Sequence, residues 1–153
     1  MKREVVRHPG AVCILPLLDH GTSRSRVVMI RNQRVALGQE IWELPAGTLE
    51  PPEPPDRCAI RELEEETGYA PATIAPLGRF YTTPGMTNEL MHAFLATDLT
   101  ERAQRLQEDE SIRVEVVPAA DALSMIDRGD LMDAKSMLTL LMAWRRGVFG
   151  DRP

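Results

Sequence analysis

Cysteine is nearly absent: Cys13 and Cys58 are the only two in 153 residues. Two isolated thiols build neither a disulfide framework nor a zinc site of paired cysteines, and they make a reducing compartment the default expectation. Aromatic residues are scarce at 5%, so few rings are available to stack on a purine face. No apolar run approaches the roughly 18–20 residues that cross a bilayer. The opening MKREVVRHPG carries no apolar stretch of the secretory kind. These absences predict a cytoplasmic protein with no membrane partner. Positive charge is also in deficit, with a net charge of −5. A nucleic-acid partner wants a basic face, so none is expected. Lys2 and Lys135 are the only lysines, the other cations being arginines. Nothing in the sequence attaches a function to that ratio.

What is present fits one soluble domain spanning residues 1–153, long enough to bury a core. Residues 11–18 and 26–31 read as buried strands separated by a polar turn at Asp19–Ser25. A short strand over Glu40–Leu44 ends at Pro45-Ala46-Gly47. Residues 56–67 read as a helix with Asp56 as N-cap and Gly68 as its stop. Two strands follow, Leu77–Thr83 and Leu90–Thr97, joined around Pro84-Gly85, and then a strand over Ile112–Val117. Ala119–Arg128 and Met132–Arg146 read as helices. Strands and helices mix along the chain, which predicts an α/β fold with a sheet between helices.

The chemistry concentrates between Gly47 and Tyr69. Gly47 is followed after five residues by Glu53, after seven more by Arg61-Glu62-Leu63, then by Glu65-Glu66 and Gly68-Tyr69. On a helix turning 100° per residue, Glu62, Glu65 and Glu66 fall within an arc of roughly 100°. Ile60, Leu63 and Thr67 occupy the flank that faces a core. Clustered carboxylates repel one another along a helix. A hard divalent cation relieves that repulsion, because magnesium prefers oxygen ligands and tolerates several waters. Such an ion bridges diphosphate oxygens and activates water. Arg61 stands one turn before Glu65 and is placed to orient that carboxylate. A plain acid-rich helix face is the competing reading, since charge runs are usually solvated. The fixed positions of both glycines and the Pro-rich lead-in Pro51-Pro52-Glu53-Pro54-Pro55 weigh against it.

This stretch resembles the Nudix box, meeting its pattern at every charged and glycine position, with Tyr69 standing where the family usually has an aliphatic residue. The resemblance implies a Nudix-type α/β/α sandwich around a mixed β-sheet and hydrolysis of a nucleoside diphosphate linked to another group. It implies Mg2+ as cofactor, with Mn2+ as a substitute. By the same resemblance Glu62 and Glu66 are metal ligands, Glu65 is an additional or bridging one, and the carbonyl of Ala46 completes the set. Glu53 resembles the box glutamate that braces loop and helix at the substrate side.

Three segments outside the box resemble the ADP-ribose pyrophosphatases. Trp42-Glu43-Leu44-Pro45-Ala46-Gly47 leads into the box in their form. Thr83-Pro84-Gly85-Met86-Thr87-Asn88-Glu89 resembles their post-box signature, which implies substrate roles for Pro84, Gly85 and Glu89, though Pro-Gly also makes a plain turn. Arg31-Asn32-Gln33-Arg34 resembles a segment whose last arginine, here Arg34, contacts phosphate or ribose. In that subfamily a loop acid serves as general base. The best match in Leu106–Ile112 is Glu108, with Glu110 as an auxiliary acid near the metal and Asp109 as the neighbouring register. The implied substrate is ADP-ribose and the implied assembly a homodimer.

Other groups invite bland readings. Cys58 shares the helical arc of Glu62, but a thiol is a poor magnesium ligand, so it reads as a packed small residue. His92 in a predicted strand reads as packed, and the methionines of the last helix as core or subunit contact. Two competitors remain: a pyrophosphohydrolase of another nucleotide sugar or dinucleotide, and a non-catalytic Nudix-fold sensor. The sensor would be favoured by a missing box glutamate, and none is missing.

Overall fold

A computed structural model describes residue 2, residues 4–108 and residues 111–150. The elements run β1 (Ala11–Leu18), β2 (Arg26–Arg34), β3 (Gln39–Glu43), β4 (Ala46–Thr48), α1 (Pro55–Thr67), β5 (Tyr69–Tyr81), β6 (Leu90–Glu101), β7 (Ile112–Pro118), α2 (Ala119–Arg128) and α3 (Ala134–Arg145). The main sheet order is β3-β2-β1-β6-β5, with β4 paired to β1 and β7 to β2. β1 and β6 are parallel and the remaining pairs antiparallel, so the sheet is mixed.

β1 explains why helices cover both faces. Residues 11–17 are all buried, yet successive side chains of a strand point to opposite faces. Cys13, Leu15 and Leu17 join Ala122, Met125, Leu140 and Ala143 in one core layer. Val12 and Ile14 join Cys58, Ala59 and Leu63 in the other. α2 and α3 therefore close one face and α1 the other, an α/β/α arrangement. Each fully buried Leu or Ile in these layers contributes about 1.5–3 kcal/mol.

Several boundaries differ from the sequence reading. β5 starts at Tyr69, directly after the α1 stop, rather than at Leu77. Pro71 and Pro76 hid its first half, because proline cannot donate to a sheet ladder. They are tolerated because β5 is the last strand in the order and, among the described residues, pairs with β6 alone. A register shift between Pro76 and Gly78 kinks it. There Gly78, at φ 145°, lets Met142 Cε pack against its Cα. The N-cap of α1 is Pro54, with Pro55 opening the helix and Asp56 in its first turn. Proline suits that place because its missing N–H would have no intrahelical partner. α3 begins at Ala134, where Asp133 caps it by accepting the Ser136 N–H at 3.1 Å. Met132 thus lies outside the helix and is exposed. The three-residue β4 was too short to leave a periodic signal.

Candidate active site

β4 runs antiparallel to the start of β1, with Gly47 opposite Val12 and Ala46 opposite Cys13. α1 crosses over it and turns its acidic arc toward this short strand. Glu66 Oε2 accepts the Ala46 N–H at 2.9 Å. The Glu62 carboxylate lies directly on the Cα of Gly47, in space that any Cβ there would occupy. Gly47 thus serves a close approach: its backbone lies outside the left-handed region, and what it lacks is bulk.

Glu62 and Glu66 are buried, while Glu65 keeps 29% of its side chain exposed. The reason is their position on the helix: Leu63 and Thr67 of the same turns pack inward, and Glu65 sits at the rim. Arg61 gathers the acids around it. Its Nη1 donates to Glu62 at 2.8 Å and to Glu65 at 3.2 Å. Its Nη2 and Nε donate to Glu53 at 2.7 and 3.2 Å. Glu53 also accepts the Glu50 N–H at 3.0 Å, closing the loop that enters α1. The hydrogen bonds from Arg61 hold the Glu53 carboxyl down to about 2, and those from Glu53 raise Arg61 above its ordinary value. Burial pushes the Cys58 thiol up to about 12, so it stays protonated beneath this cluster.

The depressed Glu53 value has a measurable consequence. A carboxylate held below its unfolded value contributes stability above that value, and loses it as pH falls through the folded one. Glu53→Gln should therefore melt below the parent by a constant margin above about pH 5, with the margin closing toward about pH 2. Thermal melts across that range check it. A margin that persists at the acid end would mean that Glu53 braces the loop by shape alone.

Two cavities meet over β4. One, of about 690 Å3, is lined by Arg34, Ala46, Gly47, Thr48, Glu50, Glu62, Glu66, Gln107 and Ile112 among others. The second, of about 480 Å3, shares Arg34, Ala46, Gly47 and Thr48 and extends to Phe80, Tyr81, Glu89, Met91, Asp133, Lys135 and Leu138. Glu62, Glu66, Ala46 and Arg34 are thus brought together at one wall. Glu89 reaches the second cavity, where Thr82 Oγ1 donates to it at 2.5 Å and His8 Nε2 stands 3.6 Å away. Pro84 and Gly85 lie in the turn between β5 and β6, outside both linings. That turn is tied to the N-terminal segment by the Val6–Thr87 bridge. Glu108 is an exposed turn residue beside the cleft-lining Gln107, and is not itself in the lining. Asp109 and Glu110 lie outside the described residues.

The carboxylates of Glu62 and Glu66 and the carbonyls of β4 offer oxygens at this wall, the ligand chemistry of a hard divalent cation. Among the described residues no three His, Cys, Asp or Glu side chains converge into a ready-made cage. Magnesium binds through one or two carboxylates completed by water and phosphate oxygens, so Glu62, Glu66 and the β4 backbone fit it.

Glu43 and Lys135 were missed from sequence. Glu43 is 1% exposed and takes both Arg34 (2.6 Å from Nε and from Nη2) and Lys135 (2.9 Å). An acid between Trp42 and Leu44 in a short strand was the available signal, since a buried carboxylate needs a paired cation. Lys135 offered none, standing 92 residues away.

The relatives point the same way as the box. A methanol dehydrogenase activator of Bacillus methanolicus is 38% identical over 141 residues, covering 91% of this chain and 74% of that protein. An ADP-ribose pyrophosphatase of Bacillus subtilis (strain 168) is 42% identical over 137 residues, 88% of this chain and 72% of that protein. The crystal structure of an ADP compounds hydrolase superposes with a TM-score of 0.79 over 90% of this chain and 72% of that one. At 23% identity that match speaks to the fold alone. The family model for the NUDIX domain matches residues 7–140, from the residue before His8 to the middle of α3. With the carboxylate helix, the β4 backbone beneath it and the mixed sheet all inside that span, the chain belongs to the NUDIX domain family.

Proposed function

We propose that this chain hydrolyses the diphosphate bond of ADP-ribose to AMP and ribose 5-phosphate, using Mg2+, with Mn2+ able to replace it. The observation that carries the reading is the pair of buried carboxylates, Glu62 and Glu66, set against the β4 backbone on the wall of a 690 Å3 cleft. The 42% identity to an ADP-ribose pyrophosphatase supports the choice of substrate.

In this proposal Glu62, Glu65, Glu66, the Ala46 carbonyl and Glu110 hold the cation. When bound, the ion neutralises the diphosphate and lowers the pKa of water. Water attacks one phosphorus, the bond to the bridging oxygen breaks, and Glu108 takes the proton. Arg61 positions Glu65 and Glu62, while Glu53 fixes Arg61. Arg34 binds phosphate or ribose where the two cavities meet, and Pro84, Gly85 and Glu89 shape the far end. A homodimer in the cytoplasm is the proposed working form.

Incubation with ADP-ribose, other sugar nucleotides and dinucleoside polyphosphates, with the released nucleotides resolved by anion exchange, tests the substrate. The highest kcat/KM is expected for ADP-ribose. A preferred sugar nucleotide or dinucleotide would replace that substrate, and binding without turnover of any would favour a sensor. Glu108→Gln should lower kcat about tenfold with little change in KM, less than a lost base usually costs because Asp109 and Glu110 adjoin it. If Glu108→Gln is silent while Asp109→Asn or Glu110→Gln is crippling, the register assigned to this loop is wrong.

A further inference from the structure

The turn of α1 that carries Glu65 and Glu66 is also its last, and the final carbonyls of a helix find no partner within it. Here they are held from outside. The Arg105 N–H donates to the Glu65 carbonyl at 2.9 Å, and the Gln104 side chain donates from Nε2 to the Glu66 carbonyl at 2.7 Å. The Arg102 N–H reaches the Gly68 carbonyl at 2.5 Å. Residues 102–105, running on from β6, therefore form a strap across the end of the helix. Gly68 admits the strap on two grounds. Its φ of 74° is left-handed, and a Cβ there would stand 2.8 Å from the Arg102 carbonyl oxygen and 3.1 Å from the Gln104 nitrogen. The Arg105–Glu64 ion pair beside it is 65% exposed on the arginine side and adds little.

From the strap the chain passes directly to the cleft. Gln107 lines the 690 Å3 cavity together with Glu62 and Glu66, and Glu108 follows it. Gln104 Nε2 also stands 3.5 Å from the carbonyl of Ile112, where β7 begins. One side-chain amide thus lies between the acid-bearing turn of α1 and both ends of the segment that borders the cleft. We propose that Gln104 is a positioning residue: by donating to the Glu66 carbonyl it fixes Gln107 and Glu108 at a set distance from the Glu66 carboxylate. Cation ligands and proton acceptor must converge on one water, and a displacement of about 1 Å between them is costly. Substrate contacts lie elsewhere on the wall, so the loss falls on kcat rather than on KM. The inference rests on the reading of this cleft as a site of metal-assisted hydrolysis, and its test is separable from that reading.

Gln104→Met keeps the length of the side chain and removes the donor, whereas Gln104→Lys keeps a donor able to reach a terminal helix carbonyl. Turnover is measured on whichever compound of the substrate panel the wild-type enzyme hydrolyses fastest. Gln104→Met should lower kcat about fivefold with KM within about twofold, and Gln104→Lys should recover most of the kcat. The second readout needs no turnover: amide hydrogen exchange followed by NMR on the full chain in EDTA. Gln104→Met should speed exchange at Arg105 and Gln107 severalfold, and leave Leu63 in the middle of α1 unchanged. A kcat within twofold of wild type in a folded Gln104→Met overturns the proposal, as does unchanged exchange at Arg105 and Gln107. Acceleration shared equally by Leu63 also overturns it, since that is general loosening of the helix. If Gln104→Met does not fold, Gln104→Glu takes its place, and equal kcat in the Glu and Lys variants overturns the proposal. Failure of the hydrolase reading shows separately, as wild-type enzyme that turns over nothing in the panel. The exchange comparison then decides by itself whether Gln104 ties the end of α1 to the segment at the cleft.

Discussion

Gly47→Ala is expected to lower kcat at least about a hundredfold, a loss near 2.7 kcal/mol of transition-state stabilisation, and to lower the melting temperature as well. The added methyl group would occupy the volume of the Glu62 carboxylate. The backbone of Gly47 lies in a region open to alanine, so the cost is steric rather than conformational. Either Glu62 swings away from the wall or β4 separates from β1, and both remove an oxygen donor from the cleft. Overpacking of this kind costs about 1–3 kcal/mol, or roughly 2–12 °C for a domain of this size. Glu62→Asp in the same background withdraws the carboxylate by one methylene, so the double variant should regain melting temperature without regaining turnover. If Gly47→Ala keeps near-normal activity at saturating magnesium, the contact between β4 and Glu62 does not organise the site.

Glu66→Gln separates chemistry from scaffold still more sharply. The amide oxygen of glutamine can accept the Ala46 N–H that Glu66 accepts now, so the tie between α1 and β4 survives. The charge does not survive, and Glu66 is buried beside Glu62 at the wall of the cleft. The expected result is a loss of turnover of at least about a hundredfold, as for a group needed in the transition state. The melting temperature in EDTA should stay within about 2 °C, since neither packing nor the hydrogen bond has changed. Wild-type turnover by this variant at saturating magnesium would remove Glu66 from the proposed cation ligands. A large fall in melting temperature in EDTA would instead make it a structural brace.

Much of the scaffold was legible because it is local. The unbroken apolar run of β1 announced burial on both faces, and alternation along a strand then assigns Val12 and Ile14 to α1 and Cys13, Leu15 and Leu17 to α2 and α3. What escaped was whatever lacked a period or broke a propensity. β4 is three residues long, and the first half of β5 carries two prolines that read as loop until its edge position is known. Asp56 read as the N-cap because its side chain suits one, yet Pro54 holds that position and Pro55 opens the helix.

The sequence by itself determined that three carboxylates share one arc of α1, because 100° per residue is a property of any helix and needs no partner. It determined equally that Gly47 and Arg61 travel with them at fixed spacing. Only the tertiary structure decided what the arc faces. Gly47 meets Glu62 because α1 folds back over β4, and Glu66 binds Ala46 from 20 residues away for the same reason. The pairing of Lys135 with Glu43 joins α3 to β3 across 92 residues. No periodicity encodes such an encounter. It follows from α2 and α3 packing on the face of the sheet opposite α1, where a buried carboxylate must find its cations among whatever side chains the fold delivers.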